Sequence, residues 1–112
     1  MNAKTAKKRQ ILKARATANR AAARIRRNGQ ASLTTHALAT GLAPKEARTV
    51  ASSLRKAAAR LDITGTQHRV HAGRHMRNCT RYTPVQVAAL ATVYRPRKMA
   101  YKLAADTLRL AA

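Results

Sequence analysis

The sequence predicts a mainly α-helical fold with one small β-hairpin and helices flanking it at both ends. Three observations carry this. Apolar residues recur at helical spacing over much of the chain. Gly29, Gly41, Pro44 and Pro84 fall where helices would stop or start, not inside them. Residues 64–82 lack that spacing and alternate imperfectly around Gly73, as a hairpin would.

A chain of 112 residues makes one domain, here with a basic tail or helix at 1–29 and the domain proper at 30–112. The formal net charge is +21, from 24 Lys and Arg against 3 Asp and Glu. Such a charge repels itself in a folded chain, so a polyanion partner is expected: DNA, RNA or an anionic membrane. The acids Glu46, Asp62 and Asp106 lie far apart, which argues against a carboxylate pair or an oxygen-ligand metal site. No nucleophile elbow or glycine-rich loop is present, so no enzymatic activity and no cofactor are expected. Cys79 is the only cysteine, which fits a reducing cytoplasm. No apolar run approaches the ~20 residues of a membrane span. The Ala- and Arg-rich composition without Phe or Trp is similar to that of GC-rich bacterial or phage genomes.

Residues 1–10 read as a basic lead, and helical spacing begins at Ile11. Ile11, Ala14, Ala18, Ala21, Ala22 and Ile25 share one stripe, with Arg20, Arg24 and Arg27 among the residues opposite. Asn28-Gly29 ends the helix. The stripe is mostly alanine. It fits a solvated charged helix or a disordered tail as well as a helix lying along phosphates.

The helix-turn-helix region spans 34–61. Thr34 is the expected N-cap, with Leu33 and Leu38 as a hydrophobic staple. The short helix stops at Gly41, and Pro44 opens a second helix after a tight turn, with Ala43 held out of the α region. On the second helix, Ala47, Val50, Ala51, Leu54, Ala58 and Leu61 share one face. Lys45, Arg48, Thr49, Ser52, Lys56 and Arg60 share the other, with Arg55 at its edge. His36 is expected to face solvent from the short helix.

The stretch LTTHALATGLAPKEARTVASSLRKAAARL resembles the helix-turn-helix of winged-helix bacterial and phage regulators. Thr34, Leu38, Ala39, Gly41, Leu42, Ala47, Arg48, Leu54, Arg55 and Lys56 carry the likeness, which is good over 33–61 and loose over 64–82. It implies a winged helix-turn-helix fold with a β-hairpin wing at 64–82 and C-terminal helices at 84–111. It also implies a recognition helix, 45–61, in the major groove of duplex DNA. Lys45, Arg48, Thr49 and Ser52 would then read bases. Arg55, Lys56 and Arg60 would hold phosphates, together with Arg69, Arg74 and Arg77 of the wing and Arg20, Arg24 and Arg27 of the N-terminal helix.

In the wing, Ala72-Gly73 is the expected turn, and its large apolar residues are few: Val70, Met76 and Tyr82. His68, His71, His75 and Cys79 form a candidate zinc set, but alternation would put His68 and His71 on opposite sides of a strand, so no metal is expected. Thr83-Pro84 caps a further helix with a stripe of Val87, Leu90, Ala91 and Tyr94. Pro96 either opens another helix or kinks a continuous one. Ala100, Leu103, Ala104, Thr107, Leu108 and Ala111 continue the stripe. Tyr82, Tyr94 and Tyr101 read as packing residues.

Double-stranded DNA is the expected partner, with a homodimer and RNA kept open. Helix 3–27 has too little apolar bulk to lie in a membrane surface. The competing reading is a sequence-independent nucleoid-type or ribosome-associated protein, suggested by the even spread of Lys and Arg.

Overall fold

The computed structural model describes residues 3–110, apart from the side chains of Val70 and Ala72. The elements are α1 (Ala3–Asn28), α2 (Leu33–Ala39), α3 (Pro44–Leu61), β1 (Thr66–Ala72), β2 (His75–Arg81), α4 (Pro84–Val93) and α5 (Met99–Leu110). The fold is mainly helical, with a two-stranded antiparallel sheet.

Helix α1 starts eight residues before Ile11, where the apolar spacing begins. Ala, Lys and Arg propagate a helix without needing a buried face. Its expected stripe packs only in the C-terminal half: Ala21 is buried, Ala14, Ala18, Ala22 and Ile25 are half-buried, and Ile11 is 52% exposed. Gly29 ends it at φ +73°, donating its N–H to the Ile25 carbonyl at 2.8 Å. The helix runs back along α2. Arg24 shares a depression with Ser32 and Thr35 at the start of α2, while Arg15 and Ala18 share one with Gly41 beyond its end. Residues 3–13 are all exposed, with Ile11 lining the same depression as Gly41.

Ser32, not Thr34, caps α2, its hydroxyl accepting from the Thr35 N–H at 3.3 Å. Leu33 thus lies inside the helix and in the core, where no staple outside it can form. The buried face of α2 is Leu33, His36 and Ala37, the i, i+3, i+4 pattern. His36 is therefore buried, 3% exposed, rather than facing solvent. Its Nε2–H donates to the Tyr82 carbonyl at 2.8 Å.

Gly41, at φ +99°, turns the chain toward α3. Ala43 is extended and Pro44 occupies the first turn, where no N–H donor is required. Ala47, Val50, Ala51, Leu54, Ala57 and Ala58 are buried. Leu61 is not: the helix unwinds into left-handed Asp62 (φ 56°), and Leu61 stays 41% exposed.

The hairpin pairs Thr66 with Arg81, His68 with Cys79 and Ala72 with His75. Its turn is Gly73-Arg74, one residue later than Ala72-Gly73. Gly73 at φ +67° takes the first central position, as a type II′ turn requires. The base of the hairpin is pinned to the helices. Ala31 and Tyr82 exchange two backbone hydrogen bonds, of 3.0 and 2.8 Å. Gly65 passes so close to β2 that a Cβ there would lie 2.6 Å from the Arg81 carbonyl oxygen.

Thr83 and Gln86 form a reciprocal capping box on α4, and the Gln86 amide also reaches the Thr64 carbonyl. Residues 94–98 separate α4 from α5, so Pro96 neither kinks one helix nor opens the next; it sits in a linker. On α5 the buried residues are Ala104, Ala105 and Leu108, while Leu103 and Thr107 are exposed, correcting the stripe by one turn edge. Ala111 lies outside the described residues. Leu33, Val50, Leu54, Val87, Leu90 and Leu108 meet in a single core closed by Tyr82, with Tyr94 and Tyr101 packed against its margin. Among the described residues no helix is long and apolar enough to cross a membrane.

Candidate nucleic-acid interface

Helix α3 is held by its buried face and presents the opposite ridge to solvent. Lys45, Arg48, Thr49, Ser52, Lys56 and Arg60 are all exposed on it. The N-terminal half of the ridge holds the four residues expected to read bases. The Thr49 hydroxyl donates to the Lys45 carbonyl at 3.2 Å, which leaves its oxygen free only to accept. Lys56 continues the same ridge one turn beyond Ser52.

The two edges of α3 differ. On one edge Arg55 faces a groove of about 440 Å³ shared with Ser32 and Thr34 and with Arg77, Asn78 and Thr80 of the hairpin. On the other edge lie Glu46 and Ser53. Glu46 forms an ion pair with Lys98 (3.9 Å), and Tyr94 packs against the margin of the core. The linker 94–98 is thereby tied alongside α3 on the side away from the hairpin. Sequence reasoning treats Arg95-Pro96-Arg97 only as a break in helical spacing. The signal that could have found it is the cluster itself: three cations around a proline between two helices.

The hairpin separates its own cations. Strand alternation places Arg77 on the ribbon face with His68, Cys79 and Arg81, and Arg69 on the other face with His71 and Asn78. Arg74 stands in the turn. The expected phosphate set of Arg69, Arg74 and Arg77 is therefore split over two faces and a tip. The same alternation disperses the candidate zinc ligands. His71 is on the reverse face; His75 shares the face of His68 and Cys79 but stands at the turn end, where it pairs with Ala72, and the His68 Nε2 meets the Gln30 amide at 3.0 Å. Among the described residues no three His, Cys, Asp or Glu side chains come together as a metal site.

Arg20, Arg24 and Arg27 are exposed along one side of α1. Arg24 faces a depression with Arg81, Gln30 and Cys79. No internal pairing can neutralise this surface, since 3 carboxylates serve 24 cations. Two of the three are engaged, Glu46 with Lys98 and Asp106 with Arg109.

Burial holds the His36 imidazole below its ordinary pKa, opposed by hydrogen bonds to the Tyr82 and Ala31 backbone. Neutral His36 thus secures the base of the hairpin. Burial also raises the Tyr94 phenol above its ordinary pKa. Compared with protein families, curated proteins and solved structures, the chain gives no match.

Proposed function

We propose that this protein binds duplex DNA as a small winged helix-turn-helix regulator, with α3 in the major groove. The observation that carries the reading is the α3 ridge. It is rigidly backed by Val50 and Leu54, both fully buried, yet offers Lys45, Arg48, Thr49 and Ser52 to solvent in one row. An α-helix with its side chains is about 10–12 Å across and a B-DNA major groove about 12 Å wide, so such a ridge can reach base edges. Bidentate Arg48 suits guanine, and small hydroxyls suit several base edges. The hairpin acts as the wing, with Arg74 and Arg77 on phosphates. Arg55, Lys56 and Arg60 and the arginines of α1 add sequence-independent grip. No step of bond making is assigned to the chain.

A second reading is favoured by a different observation. Lys4, Lys7, Lys8, Arg9 and Lys13 all sit exposed on the N-terminal half of α1, outside the α3 ridge. Charge placed there serves backbone contact with any duplex or with structured RNA. Selection of bound duplexes from a random pool separates the two. The regulator reading expects an enriched motif a few base pairs long. Recovery of unenriched sequence, or displacement of duplex by structured RNA, would move the function to the second reading.

A further inference from the structure

We infer that the linker 94–98 is a second phosphate clamp, with Arg95 and Arg97 gripping the DNA strand on the side of α3 opposite the hairpin. This rests on the duplex reading above and adds a contact element to it.

The two edges of α3 carry different residues. Successive residues of a helix are about 100° apart, so Arg55 falls on one edge of the exposed ridge and Glu46 and Ser53 on the other. The hairpin groove lies against the Arg55 edge. The linker lies against the Glu46 edge, held at one end by the packing of Tyr94 on the core and at the other by the ion pair of Lys98 with Glu46 at 3.9 Å. Between those two points stand Arg95 and Arg97, both exposed. Pro96 between them fixes one backbone angle, so the pair is presented on a stiff segment.

A helix that fills a major groove has a phosphate strand along each of its walls. Elements on opposite edges of the helix therefore face opposite strands. The hairpin covers one wall, and the linker is the only described segment fastened to the other edge of α3 by an ion pair. Charge around it is strongly positive. Lys98 and Arg109 are partnered by Glu46 and Asp106, and Arg109 also donates to the Ala91 carbonyl at 3.0 Å. Lys98 further lies 5.2 Å from the centre of the Tyr101 ring. These contacts hold the linker in place. Arg95 and Arg97 have no acid within the segment and are both exposed; Arg95 lines a depression with Lys102, Asp106 and Arg109, in which the one acid, Asp106, is already paired with Arg109.

The test compares Arg95→Ala/Arg97→Ala with the wild-type chain on the selected duplex. Two readouts are used: the salt dependence of affinity and phosphate-ethylation interference on each strand. Losing two phosphate contacts should lower the slope of log affinity against log salt by about 1.8. Affinity should drop equally on random duplex. The lost interference positions should lie on the strand opposite those lost in Arg74→Ala/Arg77→Ala. Arg95→Lys/Arg97→Lys should keep the slope, which distinguishes lost charge from lost folding, as should an unchanged thermal melt. A wild-type-like slope in the alanine variant, or lost positions coinciding with those of the hairpin variant, would overturn the clamp alone. Failure of the wild-type chain to bind duplex at all would overturn the duplex reading and the clamp with it.

Discussion

Helices α1 and α3 are the two long basic helices of the molecule, and both carry a periodic apolar stripe. They behave differently. The stripe of α3 is buried from Ala47 to Ala58, with Val50 and Leu54 fully enclosed and only Leu61 at its end exposed, while that of α1 buries only Ala21 and leaves Ile11 about half exposed. Periodicity is the same in kind; side-chain volume is not. Burying a Val or Leu side chain stabilises by about 1.5–3 kcal/mol, whereas each alanine methyl removes far less surface from water. The lesson is that periodicity states which face could pack, and bulk decides whether it does. A consequence for function follows: α3 can position side chains, whereas the exposed N-terminal half of α1 delivers charge.

The sharpest way to break this contrast is to shave α3. Leu54→Ala should lower stability by about 2–5 kcal/mol, since the cavity opens in the closed core. Ile11→Ala should change it by less than about 0.5 kcal/mol, as at other exposed sites. Denaturant titration of both variants checks this; equal losses would mean that α1 is as firmly docked as α3.

The hairpin is expected to owe its angle to one close approach. Gly65→Ala would push a methyl to 2.6 Å from the Arg81 carbonyl oxygen, and β2 would have to shift. We expect a loss of about 1–3 kcal/mol, read as a lower denaturant midpoint. An unchanged midpoint would show that the hairpin base yields freely.

His36 sharpens the contrast through pH. Its folded pKa lies below the ordinary 6.5, so below that pH the unfolded chain binds more protons than the folded one. Stability therefore holds above about pH 6.5 and falls as pH drops toward the folded pKa, by at most about 1.4 kcal/mol per pH unit. Below the folded value the loss levels off. Melts across pH 7.5 to 5 in wild type and His36→Gln check the sign; an identical acid dependence in both would assign it elsewhere.

The smallest effect on stability is expected for removal of residues 1–13, whose described side chains are all exposed. Binding should respond instead: the salt slope should fall by about 0.9 for each lost phosphate contact, with sequence preference intact. An unchanged slope would take this segment off the DNA.

Much of this was legible in the sequence for physical reasons. Pro44 and Pro84 need no N–H partner, and Gly41 and Gly73 accept positive φ, so the starts of α3 and α4 and the two turns could be located to within a residue or two, whereas the start of α1, which has no such marker, lies eight residues earlier than its apolar spacing. The two faces of α3 followed from spacing alone. What escaped were features set by tertiary contact. His36 reads as polar and exposed, but the Tyr82 carbonyl supplies a buried partner from 46 positions away. Ser32 and Thr34 are both competent caps; the pairing of Ala31 with Tyr82 fixes where the helix can begin. Likewise, the ion pair of Lys98 with Glu46 and the packing of Tyr94 on the core have no local signature, so Arg95 and Arg97 read as a break in spacing.

The central claim is that the exposed ridge of α3 reads sequence while most of the +21 charge supplies grip. The most direct measurement is the affinity of Arg48→Ala on the selected duplex and on a scrambled one at fixed salt. We expect a loss of about 1–3 kcal/mol on the selected site and a much smaller loss on the scrambled one. Equal losses on both would contradict the claim and leave Arg48 as one more phosphate contact.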